Sequence, residues 1–319
     1  RSTLSSSSAA SDVYKRQNPD NVTSKLAKTF KEVDPSGRRL ARVFRESFDQ
    51  VYDGQHTGRY SISQLSKTES AHLGSIVEIN IRREFDDIID DGEVMDFDIA
   101  GFDVDCKYSK HPKGWMIPIE ALGHYGMLCH ANDEKAIFNV GFLHFSDEVL
   151  TRGGNRDGKR SVSKIGAKSI TWLHFNEELP PNTLLQLAPA DRERILSLSS
   201  GAKRLDELFR TAQEMIIPRG IVATVAQQKD YMRRIRQNGG SRTALQPEGI
   251  VILGDYKLHR QMAADLELPV PSEGESISVR LFPLQPGETN PHIAFDGTCW
   301  RKANPSDPIV SAPNIGHKS

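Results

Sequence analysis

The sequence predicts an α/β fold in two domains, in which a mixed-sheet domain is followed by a mainly helical domain with a small β wing. The length of 319 residues is enough for two hydrophobic cores, each in a domain of about 150 residues. Apolar and polar residues alternate from Asp96 to Tyr108, as they do in strands with one buried face. After the adjacent Pro180 and Pro181, apolar residues recur mostly at helical spacing.

Changes in composition place the domain boundaries. Residues 1–20 are interpreted as an artefactual or disordered tail, because the stretch SSAASDVYKRQ resembles translated adapter sequence and has no signal-peptide pattern. The mixed-sheet domain is assigned to 21–173, a linker to 174–182 around the two prolines, and the mainly helical domain to 183–319.

The first domain begins with predicted helices. The segment 21–59 carries apolar residues at helical spacing on both sides of a break at Pro35. A further helix is predicted from a cap at Thr68 or Ser70, and it places Glu78 inside an apolar run.

The stretch DFDIAGFDVDCKYS predicts a β-hairpin with one apolar and one acidic face. Phe97 and Ile99 precede a turn at Ala100 and Gly101, and the alternation then resumes. Further core strands are predicted in WMIPIEALGHYGMLCHA and AIFNVGFLHF.

The polar face of this hairpin carries residues that indicate catalysis. Asp105 and Lys107 lie on one side of a strand, about 6.6–6.8 Å apart, so both can reach one substrate atom. The turn brings Asp96 beside them, and Glu78 supplies a further carboxylate. Carboxylates this close repel one another unless they share a cation, and Mg²⁺ prefers such hard oxygen ligands. We therefore predict Glu78, Asp96 and Asp105 as metal ligands and, with Lys107, as catalytic residues for phosphodiester hydrolysis.

The second domain predicts a DNA-binding module. The helical stretches ADRERILSL and RLDELFRTAQEMI precede the strand-like GIVILG and SISVRLF, an order that suits a helix-turn-helix with a two-stranded wing. In TVAQQKDYMRRIRQNGG, Lys229, Arg233 and Arg236 recur at helical spacing, and Arg234 and Arg242 add charge. These five residues are predicted to bind DNA phosphates, with a solvated helix face as the alternative.

Two motifs are near-matches to other activities. Gly153 to Lys159 reads G-x-x-x-x-G-K, but Arg160 stands where a phosphate-binding loop has Ser or Thr. We interpret it as a basic loop that contacts DNA backbone if it contacts anything. A ligase-like K-x-D-G motif has Val51 in place of the nucleophilic lysine, so ligase activity is not predicted.

Overall charge does not exclude a nucleic-acid ligand. The formal net charge is -1, but 10 acidic residues and no Lys or Arg lie between Glu84 and Asp105, so the rest of the chain is basic. Most of this acidic segment is interpreted as a solvated loop. The three dispersed cysteines predict a reducing, cytoplasmic location, and the absence of a long apolar run predicts no membrane partner.

The runs VEINIRREF and MDFDIAGFDVDCKYS resemble the NaeI-type (type IIE) family of type II restriction endonucleases. The likeness continues in collinear order through nearly everything after residue 30. It is carried by FRESFDQVYDGQHTGRY, GNRDGKR, RGIVATVAQQKDYMRRIRQNGGSR, LQPEGIVILG, DLELPVP and DPIVSAPN.

The resemblance implies an endonuclease domain with a restriction-endonuclease-like mixed sheet and a C-terminal winged-helix-like DNA-binding domain. It also implies a homodimer, Mg²⁺-dependent cleavage of both strands of double-stranded DNA, and activation by a second DNA copy. The family's catalytic set falls on Glu78, Asp96, Asp105 and Lys107, and the ligase-like stretch is shared as well. A GC-rich palindrome such as GCCGGC is the implied target.

Two alternatives stay open on the residues alone. One is a DNA-binding regulator whose first domain has lost catalysis. The other is a repair or structure-selective nuclease, which would not cut at one fixed sequence.

Overall fold

A computed structural model describes residues 19–235 and 239–315. The described residues up to Val51, together with Ser66–Pro180, form one compact unit. Tyr52–Leu65 and the residues from Pro181 onward form a second unit. The division therefore differs from the predicted contiguous domain 21–173, because Tyr52–Leu65 packs with the second unit. The predicted tail up to residue 18 lies outside the described residues.

The helices and strands follow one another in an order that alternates little. The helices are α1 (Pro19–Val33), α2 (Arg38–Tyr52), α3 (Gly54–Thr57), α4 (Lys67–Glu84), α5 (Thr183–Gln186), α6 (Pro189–Leu196), α7 (Gly201–Thr211), α8 (Arg219–Ala226), α9 (Ser241–Leu245) and α10 (Lys257–Asp265). The strands of the first unit are β1 (Ile89–Asp91), β2 (Phe97–Ile99), β3 (Phe102–Ser109), β4 (Met116–Ile117), β5 (Tyr125–Asn132), β6 (Ile137–His144), β7 (Arg160–Ser161) and β8 (Thr171–Glu178). Those of the second unit are β9 (Ile217–Pro218), β10 (Ile250–Leu253), β11 (Glu275–Pro283), β12 (His292–Phe295) and β13 (Thr298–Lys302).

A six-stranded mixed sheet organises the first unit. Its strand order is β1-β2-β3-β5-β6-β8. β3 and β5 run parallel, and the other neighbours are antiparallel. The predicted hairpin is confirmed, because β2 and β3 pair through a turn at Ala100 and Gly101. Both turn residues have positive φ, 55° and 83°, as a two-residue hairpin turn requires.

Helices α1 and α2 cover one face of this sheet. The Phe30 ring of α1 lies 5.8 Å from that of Phe142 in β6. The Phe44 ring of α2 lies 5.4 Å from that of Phe138. All four rings are buried, so this face is the aromatic core of the unit.

The opposite face carries Asp105. Residues paired across neighbouring strands point to the same face, and Asp105 pairs with Gly126, which in turn pairs with Leu143. Leu143 belongs to a buried cluster built mainly from the segments around β4 and β7. The cluster contains Trp115, Ile117, Ala121, Leu128, Leu143, Phe145, Leu150, Val162 and Ile170. The two-stranded β4–β7 sheet therefore packs on the face that bears Asp105.

Gly126 makes room for a ring of this cluster, since a Cβ there would overlap the fully buried ring of Phe145. We expect Gly126→Ala to lower the free energy of unfolding by about 1–3 kcal/mol, because the ring must move within a packed core. Gly153→Ala is the matched control, because an added Cβ there meets nothing within 4 Å. It should change stability by less than about 0.5 kcal/mol in denaturant titrations. Equal midpoints for the two variants would contradict this packing.

The second unit contains more sheet than the sequence predicts. Its five strands are ordered β10-β11-β13-β12, with β9 also on β11, and all pairs are antiparallel. A two-stranded wing is therefore wrong in size. Helices α7 and α8 pack over one buried cluster, and the sheet and α10 enclose another. The winged-helix fold stays a prediction.

Three local expectations also differ from the structure. Strand β8 continues to Glu178, so most of the predicted linker 174–182 is strand, held by pairing with β6. Ile89–Asp91 of the acidic segment is an edge strand paired with β2, not loop. Helix α4 is capped by Ser66, one turn's reach before Thr68 and Ser70. Among the helices of the described residues, none has the length and apolar character needed to cross a bilayer.

Candidate active site

Helix α4 positions Glu78. The helix begins with a capping box, in which the Glu69 N–H donates to Ser66 Oγ and the Ser66 N–H donates to Glu69 Oε2. Its buried residues Val77 and Ile81 are four apart and fix which side faces the core. Glu78 follows Val77 and is half-buried at the margin of that side.

The hairpin positions Asp96, Asp105 and Lys107. Asp96 directly precedes β2, and its Oδ2 accepts a 2.7 Å hydrogen bond from the Cys106 N–H of β3. The Lys107 ammonium donates to Asp105 Oδ1 and lies 3.6 Å from Asp96 Oδ2. One cation therefore sits between the two carboxylates, as the alternation of the sequence predicts.

Burial controls the protonation of this group. Asp105 is 5 % exposed, and burial raises its pKa to about 6, against the opposing charge of Lys107. Burial lowers the Lys107 pKa, but the Asp105 carboxylate outweighs this and the pKa lies above its ordinary value. Lys107 therefore carries its proton at neutral pH.

Glu78 lies within electrostatic reach of the hairpin. Burial raises its pKa, the Asp96 charge raises it further, and Lys107 opposes both. Over the described ranges, however, no three His, Cys, Asp or Glu side chains are close enough to hold one metal ion. Glu78, Asp96 and Asp105 are thus neighbours in charge but do not form a ready-made three-ligand cluster.

The donor set of Asp96 and Asp105 fits Mg²⁺. This ion keeps several waters and usually binds one or two carboxylates together with substrate phosphate, so a three-carboxylate cage is not required. Asp105 Oδ2 is buried and has no hydrogen-bond partner, which leaves a costly unsatisfied acceptor. A hard cation beside Asp96 and Asp105 would satisfy it.

Arg82 is a site residue that the sequence reasoning missed. Its guanidinium donates to the Asp96 carbonyl, pairs with Asp91 and lies 5.4 Å from the centre of the Phe97 ring. It thereby fastens α4 to the start of the hairpin. The available signal was a basic residue four positions after Glu78, on the same side of a predicted helix.

The ligase-like position lies in the protein interior. Val51 ends the part of α2 that belongs to the first unit and is 6 % exposed. A side chain there is packed, so the structure offers no exposed nucleophile position at this motif.

The structure does not bring the predicted DNA-binding residues onto one helix. Helix α8 ends at Gln227 in a left-handed conformation, and Tyr231–Ile235 forms a separate 3-10 helix. The helical stripe is therefore wrong as a pattern, although Lys229 and Arg233 are exposed.

The other predicted cations differ in their surroundings. Arg234 is exposed and donates to Gln228 Oε1. Arg242 is half-buried and donates to the Ile252 carbonyl, and burial lowers its pKa. Arg236 lies outside the described residues.

Comparisons with known proteins agree with the catalytic geometry. The sequence profile of restriction endonuclease NaeI matches residues 24–311. The type II restriction enzyme NaeI of Lentzea aerocolonigenes is 39% identical over 308 residues, which cover 94% of this chain and 96% of that enzyme. Both matches include the hairpin and the second unit.

Proposed function

Because the chain belongs to the NaeI family of type II restriction endonucleases, we propose that it hydrolyses both strands of DNA at a short palindrome with Mg²⁺. Membership of the family makes it a site-specific DNA endonuclease. The proposal adds the metal, the double-strand break, a homodimer and activation by a second DNA copy.

One observation carries the catalytic part of the proposal. Lys107 lies between Asp96 and Asp105, and the second oxygen of Asp105 is buried without a partner. A purely structural salt bridge gains nothing from a buried unsatisfied carboxylate oxygen, whereas a site that receives a cation and a phosphate does.

The chain's own residues then have distinct tasks. Asp96 and Asp105 would hold Mg²⁺, which supplies a lowered water pKa and charge stabilisation at the phosphate. The Cys106 N–H fixes the Asp96 carboxylate. The protonated Lys107 donates a hydrogen bond to the attacking water or to a phosphate oxygen. Water oxygen bonds to phosphorus, the bond from phosphorus to the leaving sugar oxygen breaks, and Glu78 adds negative charge near the metal ligands.

Two-fold symmetry and a second DNA copy complete the proposal. Two antiparallel strands are cut most simply by two copies of one site, which supports a homodimer. We assign the second DNA copy to the C-terminal unit, with Lys229, Arg233, Arg234, Arg236 and Arg242 as its predicted contacts. The three cysteines, free in the structure, support a reducing cytoplasmic location.

Plasmid cleavage tests the proposed function. We expect linear DNA with Mg²⁺, no cleavage with EDTA, and sequenced ends that all lie in one palindrome, with GCCGGC the first candidate. Ends at many sequences or at DNA structures would favour a repair nuclease. Specific binding without cleavage under Mg²⁺ or Mn²⁺ would favour a regulator.

A rate comparison tests the second DNA copy. Adding a short duplex that carries the target site should accelerate cleavage of a plasmid with a single site, whereas a scrambled duplex should not. An unchanged rate at saturating duplex would remove activation from the proposal and leave the nuclease itself intact.

A further inference from the structure

We propose that the hairpin 150–162, here called the basic hairpin, binds the phosphate backbone of the substrate duplex beside the bond that is cut. The inference rests on the proposed function in taking double-stranded DNA as the substrate. It assigns a DNA contact to the motif G-x-x-x-x-G-K, which the catalytic hairpin leaves unexplained.

The basic hairpin is anchored on the catalytic face of the sheet. Asp105 is level with Gly126 and Leu143 across β3, β5 and β6, and β6 ends one residue beyond Leu143. Both ends of the hairpin, Leu150 and Val162, are buried in the same cluster as Leu143.

The same cluster touches the active-site loop. Met95, the residue before Asp96, packs against it. The base of the basic hairpin and the metal ligand Asp96 are therefore tied to one apolar layer, and the chain leaves β6 at the end of the sheet near the catalytic residues.

Backbone hydrogen bonds close the hairpin and consume its amides. The Thr151 N–H donates to the Ser161 carbonyl at 2.8 Å. Asn155 Oδ1 accepts from the N–H groups of Asp157 and Lys159, at 3.0 and 2.9 Å. In a nucleotide-binding loop such amides cradle phosphates, so this loop is not built for a nucleotide. Its contacts must come from side chains.

The side chains of the loop are mostly cationic. Between residues 150 and 164 the sequence has five basic residues and one acidic residue. Arg160 is turned inward, toward Asp147 and the Thr151 carbonyl. Arg152, Arg156 and Lys159 are exposed, and within the described ranges their side chains have no hydrogen bond or ion pair. Three cations thus remain available at the end of the hairpin.

Electrostatics explains why such cations are needed here. The catalytic hairpin belongs to a segment with 10 acidic residues between Glu84 and Asp105, which repels DNA. A duplex carries one negative charge per roughly 1.7 Å, and each phosphate neutralised by Lys or Arg releases a counterion. Cations on the same face offset that repulsion. Asn155 is occupied within the loop, so the side chain best suited to read adenine is not available, and phosphate is the favoured partner.

Salt-dependent binding tests this assignment. Binding would be measured in EDTA on two duplexes of about 30 base pairs, one with GCCGGC and one scrambled, between about 50 and 200 mM KCl. We expect Lys159→Gln to reduce the slope of log K against log salt by about 0.9 on both duplexes. The triple variant Arg152→Gln, Arg156→Gln, Lys159→Gln should reduce it by about 2–3.

Lys135→Gln is the matched control. Lys135 is exposed in the turn between β5 and β6, at the end of these strands away from Asp105. It should leave the slope and the cleavage rate unchanged.

Each outcome decides the proposal. Unchanged slopes in the triple variant, with wild-type cleavage, would overturn the basic hairpin contact alone and leave the nuclease function standing. Loss confined to the GCCGGC duplex would also overturn it, because base reading and not phosphate binding would be responsible. A wild-type protein that neither binds nor cuts either duplex would overturn the proposed function as well. If the triple variant fails to fold, Lys159→Gln against Lys135→Gln gives the answer.

Discussion

Asp105→Asn should lower the DNA cleavage rate in Mg²⁺ by about 10³-fold or more, while DNA binding in EDTA is retained. The amide keeps the shape of the carboxylate but removes the charge that would hold the metal, and Lys107 loses its ionic partner. A bound metal contributes several kcal/mol to transition-state stabilisation, and about 4 kcal/mol corresponds to a 10³-fold change in rate. Single-turnover cleavage of a labelled duplex measures the effect.

Asp98→Asn is the control for this variant. Asp98 lies on the same hairpin, and its Oδ1 accepts a 2.9 Å hydrogen bond from the Gly101 N–H, which an Asn side chain can also accept. It should cleave at close to the wild-type rate. Comparable losses in both variants would show that the hairpin only tolerates its native residues, and would remove Asp105 from the catalytic group.

Asp133→Asn should lower the free energy of unfolding by about 3 kcal/mol. Asp133 pairs with Arg45 of α2 at 2.5 Å, with exposed side-chain fractions of 2% and 8%. Breaking a buried pair costs about 3–5 kcal/mol, because one charge remains buried without its partner. The lower end applies here, since Asp49 still offers Arg45 a carboxylate at 3.0 Å. Urea denaturation followed by circular dichroism measures the change.

Glu32→Gln provides the comparison at the surface. Glu32 pairs with Lys28 at 3.8 Å on α1, where both side chains are more than half exposed. Such pairs contribute about 0–1 kcal/mol, so the midpoint should barely move. If Asp133→Asn is equally mild, the buried pair does not stabilise the first unit as described.

The catalytic hairpin could be predicted from sequence because its determinants are local. Strict alternation, a turn residue that tolerates positive φ and two-residue spacing place Asp105 and Lys107 on one side without any distant contact. The position of Asp96 beside them follows from the same turn. The Ser66 capping box was equally local, and the S-x-x-E spacing that identifies it is present in the sequence.

Other features depend on distant partners or on unusual backbone. Helix α8 ends because Gln227 adopts a φ of 51°, which few non-glycine residues do, so helical periodicity runs past it. The acidic strand β1 exists only because β2 offers an edge. The turn at Asp296 and Gly297 between β12 and β13 is an exception, since an Asp-Gly pair between apolar residues is a recognisable hairpin signal.

The assignment of Tyr52–Leu65 to the second unit has a consequence for synthesis on the ribosome. The Tyr60 carbonyl accepts a hydrogen bond from Asn182, and Gly54 lies against Thr224, so both partners are translated long after this segment. Domains generally fold as they emerge, the N-terminal one first. Here the early segment must wait as a loop of the nascent first unit until the second unit has left the exit tunnel, and only the finished polypeptide can complete both halves.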